Sequence, residues 1–207
     1  MSSAAPFPLG VRLAAALWLA LFVGTYWPTY GPANFLHVCD VAVILTCVGL
    51  MRGSSLLLSS QALASLVVDL AWDLDLLWRA VTGRHLVGGT EYMWDARYPL
   101  AIRLLSCFHV FWPLLLLWAL RRVGYDRRAL PVQTVLTAVL LVASYFVLPG
   151  ANINFARANP FTGTPWGPPP VHLALSLIGL VVLIYWPTHR VLNHFFPRSE
   201  VERLDPR

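Results

Sequence analysis

The sequence predicts an all-α fold, a polytopic membrane bundle of six transmembrane helices with both termini in the cytoplasm. Hydrophobic residues make up 57% of the 207-residue chain and charged residues only 12%, a composition typical of multi-span membrane proteins. Six apolar runs can each cross a hydrocarbon core, which takes about 20 residues. The arginines gather in alternate connections between those runs.

The six runs form one predicted transmembrane domain over residues 1–207. The first run is expected to be a retained span, because no small-residue cleavage pattern precedes Tyr26-Trp27-Pro28. Pro187 is expected to stop or kink the last run, and residues 197–207 to form a short cytoplasmic tail. The predicted spans are Val11–Trp27, Asn34–Met51, Ser55–Val81, Leu100–Arg121, Leu130–Leu148 and Val171–Trp186.

The arginine positions set the predicted orientation. Arginine is in excess at the N-terminus, after spans 2 and 4, and in the tail, and residues 121–128 alone hold four. Cytoplasmic loops carry such an excess, so we expect both termini to face the cytoplasm in the inner (plasma) membrane of a bacterial cell. The arginines lie at the ends of runs and do not form one basic face. This pattern argues against a nucleic-acid partner and favours membrane lipids.

Polar residues near one end of the runs are the candidate site. Charged groups in lipid are costly and usually face the bundle interior, where they mark a function. The predicted orientation puts them in the outer half of the bilayer, whereas the inner half is expected to be nearly pure Leu, Val and Ala. The predicted catalytic residues are His109, His37, Asp40, Asp73 and Asp69, and the predicted substrate-binding residues are Arg103, Asn152, Asn154, Trp72 and Ser106.

Spacing along the predicted helices supports this grouping. His37 and Asp40 are three apart and share a helix face. Asp69 and Asp73 are four apart on the third span, with Trp72 beside them. Three more of the candidate residues lie on the fourth span at intervals of three residues: Arg103, Ser106 and His109.

Some of these polar residues could have a structural role instead of a functional one. Asp69 or Asp73 could neutralise Arg103 in a buried pair, which need not add stability. Asp75 points elsewhere on the helix and is expected to snorkel outward. His172, beside Pro170, is expected at the membrane interface.

The fifth loop, residues 149–170, is rich in Gly, Pro and Asn. A loop of this length is usually functional or disordered. Phe161 and Trp166 predict a lid that rests on the outer interface, and a rigid Pro-rich connector is the alternative.

Three chemistries fit two histidines near carboxylates. They could bind a divalent metal that activates water, but no HExxH spacing is present and we assign no metal ligand. A His polarised by an Asp could act as general base for a nucleophile such as Ser106. Haem ligation by His37 and His109 is the third option, so the cofactor is left open.

The segment Tyr98–Trp118, which contains Leu-Ser-Cys-Phe-His109-Val-Phe-Trp-Pro113, resembles the fourth span of the YwaF-like bacterial membrane proteins. It also resembles that of the eukaryotic androgen-induced (FAR-type) lipid hydrolases. Asn152-Ile-Asn154 is similar to the Asn-rich loop of the YwaF group. The resemblance covers about residues 26–190. It implies a six-span bundle in which His109 acts on lipid esters, with His37 at the place of the family's Thr nucleophile.

The leading interpretation is an outward-facing His/Asp pocket that acts on or binds a lipid-like molecule. His109 would be the general base, with His37 and Asp40 as partners, and Asn152 and Asn154 would close the pocket. This predicts a lipid-ester hydrolase or a lipid-binding protein. A carrier or proton-linked transporter is the alternative and would need a polar path through the inner half. A structural membrane subunit, whose polar residues join helices, is the third interpretation.

Overall fold

Every regular element in the computed structural model is helical, and no strand occurs in residues 6–147 and 150–198, which are the residues it describes. The all-α prediction is therefore confirmed. The predicted end of the fifth span at Leu148 and the tail from residue 199 onward lie outside these ranges. The helices are α1 (Leu9–Tyr30), α2 (Val38–Arg52), α3 (Ser55–Thr82), α4 (Leu100–Leu105), α5 (Phe108–Val123), α6 (Ala129–Val147), α7 (Pro169–Gly179) and α8 (Trp186–Phe195).

Among the described residues, five helical segments are long and apolar enough to cross a membrane: α1, α3, α4 with α5, α6, and α7 with α8. These helices are compatible with an integral, multi-pass membrane protein, as the composition predicts. The second apolar run forms the shorter α2, whose 15 residues extend about 22 Å at the helical rise. The 3₁₀ turn Pro32–Leu36 precedes it.

Helix α3 is the centre of the bundle and packs against α2, α5, α6 and the last helix. Its N-terminus is capped by Ser54, whose Oγ accepts a hydrogen bond from Leu57 N at 3.3 Å. Contact with α2 is close, since a Cβ on Gly49 would lie 3.0 Å from the side chain of Leu58. Most buried side chains of α3 lie in its first half.

The connections gather at two ends of the bundle. We call the end with residues 31–37, 83–99 and 150–168 the odd-loop end, and the opposite end the even-loop end. At the even-loop end Arg12 Nε donates to Met51 O at 3.0 Å. The chain after α8 returns there too, because Tyr125 N donates to Phe196 O at 2.6 Å.

The fourth and sixth runs differ from the predicted continuous spans. Between α4 and α5 the Ser106 and Cys107 amides bond to carbonyls three residues back, both at 3.0 Å, which makes a short 3₁₀ break. The sixth run does not stop at Pro187. A π-helical turn, Leu180–Tyr185, leads directly into α8, and Pro187 lies in the first turn of α8, where its missing N–H is tolerated.

The prediction of an almost purely apolar inner half is wrong. Gln61 Nε2 donates to Ser60 Oγ at 2.8 Å and lies 3.5 Å from Gln133 Oε1. Gln133 Nε2 donates to Thr137 at 3.0 Å, and Thr137 bonds to Tyr185 Oη at 2.9 Å. We call these five buried residues the glutamine network. It joins α3, α6 and the last helix by hydrogen bonds, and single uncharged residues within apolar runs gave no sequence signal of it.

Candidate functional site

A polar cavity of about 270 Å³ opens at the odd-loop end. Its walls come from α1, the turn before α2, α2, α3, loop 83–99 and the α4–α5 break. Five predicted site residues line it: His37, Asp40, Trp72, Ser106 and His109. The other lining residues are Tyr26, Tyr30, Asn34, Cys39, Gly89, Tyr92, Tyr98 and Phe108. A larger groove of about 620 Å³ between α3, α5 and α8 is lined mostly by apolar side chains and holds no comparable cluster.

His109 is held in one orientation in the wall of this pocket. It lies three residues after Ser106, at the start of α5, and its Nδ1 is 2.7 Å from the Ser106 carbonyl oxygen. A carbonyl only accepts hydrogen bonds, so Nδ1 donates and the neutral ring keeps its lone pair on Nε2. Trp72 and Phe108 stack on the ring, with centroids 4.3 and 4.1 Å away. The imidazole is therefore fixed with Nε2 as its basic atom.

Asp69 faces that basic atom from α3. Its Oδ1 lies 4.0 Å from His109 Nε2, and the residue has no exposed surface. Within the described residues neither carboxyl oxygen has a donor at ordinary hydrogen-bond distance, and the Ser65 hydroxyl, one turn earlier on α3, is a weak polar partner. A buried carboxyl without partners is costly and needs a proton or a counter-charge. Asp69 and His109 are thus two neighbouring groups between which a proton can be held.

Asp73 and Arg103 do not form the predicted buried ion pair. Arg103 donates from Nη1 to Met93 O at 2.7 Å and from Nε to Tyr98 O at 3.1 Å. In the part of the chain that the structure describes, it makes no salt bridge with Asp69 or Asp73. Its guanidinium instead attaches loop 83–99 to α4. Asp73 Oδ1 is buried without a partner, and neither Asp73 nor Arg103 lines the pocket.

His37 and Asp40 both line the pocket, but they do not share a helix face as predicted. His37 has an extended backbone and immediately precedes α2, so only Asp40 lies on the helix. Asp40 is 3% exposed and accepts a hydrogen bond from Asn34 Nδ2. Its other oxygen is 3.9 Å from Cys39 Sγ. Both partners are neutral, although its place in the first turn of α2 favours a negative charge there.

Four tyrosines that the sequence analysis missed complete the pocket. Tyr26 Oη and Ser106 Oγ are 2.5 Å apart. The ring of Tyr30 contacts Tyr26, Tyr98 and Tyr92 at centroid distances of 5.1, 4.9 and 6.2 Å. The spacing of four between Tyr26 and Tyr30 was a usable signal for a shared helix face. Burial raises the pKa of the Tyr92 phenol well above its usual value, so this hydroxyl stays a neutral donor.

Asn152 and Asn154 shape the fifth loop and do not line the pocket. Asn154 accepts from Val38 N at 3.0 Å and donates to Leu36 O at 2.8 Å and to Ser144 Oγ at 2.9 Å. It therefore fixes the start of α2, beside His37. Asn152 accepts from the backbone amides of residues 157 and 158 at 2.9 and 3.1 Å.

His172 lies near the start of α7, at the odd-loop end, and its side chain is buried in the protein. It is 1% exposed. Its Nε2 is 2.9 Å from the Phe155 carbonyl oxygen, and its Nδ1 accepts from Trp166 N at 3.2 Å. His172 thus holds both ends of the fifth loop together, while Phe161 at the loop tip is 74% exposed.

Asp75 is also buried, at 1% exposure, and does not snorkel outward as predicted. Its Oδ1 accepts from the amides of Leu86, Val87 and Gly88 at 2.7, 2.7 and 3.0 Å. Its Oδ2 accepts from the Thr90 hydroxyl and lies 3.0 Å from a ring nitrogen of His85. Asp75 organises loop 83–99, which supplies Tyr92 and Tyr98 to the pocket. The loop amides that it binds lie 11 to 13 residues away and left no pattern in the sequence.

The geometry limits the nucleophiles that His109 could activate. The Ser106 hydroxyl is bonded to Tyr26, and the side of the imidazole that faces Ser106 is engaged with its carbonyl. A Ser–His dyad is therefore not formed, and water is the nucleophile that His109 Nε2 could deprotonate. Among the described residues, no group of three or more His, Cys, Asp or Glu is placed to hold a metal ion.

Comparison with known proteins adds no assignment. No protein-family model, curated protein sequence or solved structure is significantly similar to this chain. The resemblance to the YwaF-like and androgen-induced proteins therefore rests on the residue strings around His109 and Asn152, and it stays a prediction.

Proposed function

We propose that this chain is a six-span membrane protein, with α2 as its short second span and both termini in the cytoplasm. Its pocket would then open to the outer side, bind a lipid-like molecule and exchange a proton with it or with a bound water through His109. The arginine-rich connections at the even-loop end support this orientation, as does the Arg12 contact with the end of α2.

One observation carries the proposal: the buried pair of Asp69 and His109. Side chains that do only structural work in an apolar interior are normally hydrogen-bonded. His109 is fixed by its Nδ1 bond and by two stacked rings, whereas neither Asp69 oxygen has a donor at ordinary hydrogen-bond distance among the described residues. An oriented base with a free lone pair beside an unpaired carboxyl is the arrangement that proton transfer needs.

Hydrolysis of a lipid ester is the reaction that best uses this pair. His109 Nε2 would take a proton from water while the water oxygen bonds to the ester carbonyl carbon. The C–O bond to the alcohol would then break, and the imidazolium would return its proton to the leaving oxygen. The phenols of Tyr26 and Tyr92 contact the Ser106 hydroxyl and would have to turn toward the carbonyl oxygen to stabilise its charge. The resemblance around His109 implies the same substrate class.

The test compares fatty-acid release from a panel of lipid esters by the purified protein and by His109→Phe. Phe keeps a planar ring between Trp72 and Phe108 but cannot accept a proton. We expect release to fall by about 10²–10⁴-fold, the usual contribution of a general base. Ser106→Ala is the matched control and should retain turnover if water is the nucleophile. Absence of release by folded wild-type protein from every ester would reject hydrolysis.

The glutamine network favours a second candidate, a proton-linked transporter. Polar residues recur every fourth position along α3 at Gln61, Ser65, Asp69 and Asp73, and the first three are almost fully buried. This stripe leads from His109 toward Gln133 and the even-loop end. In proteoliposomes with an internal pH dye, substrate-driven proton uptake that Gln61→Leu abolishes would support transport. Uptake that is absent, or that the variant leaves unchanged, would reject it.

A further inference from the structure

The pocket combines a carboxyl group with aromatic walls. Asp40 lies in the wall and Asp69 lies behind His109, whereas no described Arg lines the cavity. Within the described residues Asp40 has only the neutral partners Asn34 and Cys39 and no salt bridge. The nearby guanidinium of Arg103 is bound to two backbone carbonyls, which do not cancel its charge, but it lies outside the cavity wall. Among the described lining residues, only a histidine could pair with an anionic group.

The aromatic walls surround the same space. Tyr30 is central, with three tyrosine rings within 6.2 Å of its own, and Trp72 lies across the pocket, stacked on His109. Cations bind over aromatic faces at up to about 6 Å from the ring centre. The rings of Tyr26 and Tyr30 contact each other edge to face, inclined by 69° at a centroid distance of 5.1 Å, so a cation would lie against the ring surfaces that line the cavity and not between the two rings.

An unpartnered oxygen atom borders this cage. The Tyr30 hydroxyl is buried and has no hydrogen-bond partner among the described residues. Asp69 lies behind His109 and does not line the cavity. Asp40 does line it and is 3% exposed, so a bound cation would stabilise the ionised form of a buried carboxyl that has no salt bridge among the described residues. The volume of about 270 Å³ is at the small end of the range for ligand pockets, which suits a compact head group.

We infer that the pocket recognises an ammonium group, held by the tyrosine cage and by Asp40. This inference rests on the proposed ligand pocket and names the chemistry of its ligand. A lipid head group and a free amine share that chemistry. Asp40 supplies the charge, Tyr26, Tyr30, Tyr92 and Tyr98 supply the aromatic faces, and the ammonium replaces the missing counter-ion.

The test measures binding of choline to the wild-type protein in nanodiscs of phosphatidylglycerol, which has no ammonium group. The matched control ligand is 3,3-dimethylbutan-1-ol, the uncharged isostere of choline. Tryptophan fluorescence from Trp72 or calorimetry gives the dissociation constants. We expect choline to bind at least about tenfold more tightly than the alcohol, a difference of about 1.4 kcal/mol. Dihexanoylphosphatidylcholine, compared with dihexanoylphosphatidylglycerol, distinguishes a lipid head group from a free amine as the source.

Variants of two pocket residues, Asp40 and Tyr30, test which side chains recognise the ammonium group. Asp40→Asn should lower the affinity for the ammonium ligand by about tenfold or more and leave the isostere unchanged. Tyr30→Phe should keep the affinity because it keeps the ring, and Tyr30→Leu should lose it. A preference for phosphatidylcholine without binding of free choline would support a lipid head group as the ligand.

Equal affinity for choline and the alcohol, or no ammonium binding by folded protein, would overturn the inference. Ester release that depends on His109 is measured separately, on esters without an ammonium group. The proposed function can therefore succeed while the ammonium inference fails, and the reverse outcome is equally visible.

Discussion

Two aspartates on α3, six residues apart, show opposite uses of the same side chain. Asp75 and Asp69 are both almost completely buried, at 1% and 0% exposure. Asp75 accepts hydrogen bonds from three loop amides and from Thr90. Asp69 has no donor at ordinary hydrogen-bond distance in the described part of the chain, has only a weak contact with Ser65, and lies 4.0 Å from His109. Burial alone therefore does not distinguish a structural carboxylate from a candidate functional one, whereas hydrogen bonding does.

The difference has a physical reason in the neighbouring backbone. Asp75 lies near the end of α3, where loop 83–99 has backbone amides that no helix satisfies, and the carboxylate supplies the acceptors that they lack. Asp69 lies one and a half turns deeper, between helices whose own amides are already bonded. Its ionisable neighbours among the described residues are Asp73, which has the same charge sign, and the His109 imidazole, which is held by its other nitrogen.

The largest expected effect comes from Asp75→Ala. This change leaves the part-buried amides of Leu86, Val87 and Gly88 without their acceptor. We expect a loss of about 3 kcal/mol in the free energy of unfolding, together with release of loop 83–99. Thermal unfolding in detergent would measure the first, and faster proteolysis within the loop would report the second.

Asp69→Asn is the matched comparison on the same helix. It removes no hydrogen bond and replaces a costly buried carboxyl by a neutral amide, so stability should be unchanged or slightly higher. Proton transfer by His109 should nevertheless fall. A loss of stability in Asp69→Asn as large as in Asp75→Ala would show that Asp69 is structural and would remove the contrast.

A smaller effect is expected for Asn154, another polar residue whose hydrogen bonds are satisfied. Asn154→Ala removes bonds to Val38, Leu36 and Ser144, and alanine tolerates the φ of 54° at this position less well than asparagine. We expect a loss of about 2 kcal/mol in unfolding free energy. The loss should be accompanied by weaker ligand binding, because Asn154 fixes the start of α2 beside His37.

Asn152→Ala is the control for Asn154, because its bonds stay within the fifth loop. It should lower stability without changing ligand affinity. Equal effects of the two variants on affinity would contradict the proposed link between Asn154 and the pocket.

The smallest effect concerns Asp126 in the loop before α6, whose bonds are partly exposed to solvent. Burial opposes ionisation of this carboxyl. Hydrogen bonds from Arg128 and the charges of Arg128 and Arg198 outweigh that effect and lower its pKa below the usual value. Since the folded state holds the proton less tightly, the stabilisation is complete above the ordinary pKa of about 3.9. It is lost as the pH falls through the lower, folded value.

Asp126→Asn should therefore cost about 1 kcal/mol near neutral pH, a value reduced by solvent screening of the exposed Arg128. The difference from wild type should disappear in acid. Thermal unfolding of both proteins from pH 7 down to pH 2 would measure this convergence. A difference that stays constant with pH would mean that the charge of Asp126 contributes nothing.

Much of the architecture could be read from the sequence. Apolar runs predicted the helices to within a few residues at most ends, since burial in lipid demands length and apolarity from each span separately. The group of polar residues that contains His37, Asp40, Asp69 and His109 was predicted because ionisable residues are rare in apolar runs. The glutamine network was missed, because single Gln and Thr residues cost too little in an apolar run to be conspicuous.

The sequence by itself determined that the chain is helical, which segments are apolar, and which rare ionisable residues lie inside them. Only the tertiary structure decided which of these residues are satisfied. In the structure, hydrogen bonds to loop backbone are made by Asp75, Arg103, Asn154 and His172. Asp69 lies beside His109 instead. The physical reason is that hydrogen-bond satisfaction depends on partners from distant segments. Loop 83–99 brings Tyr92 and Tyr98 to α1 by contacts that no periodicity of the sequence records.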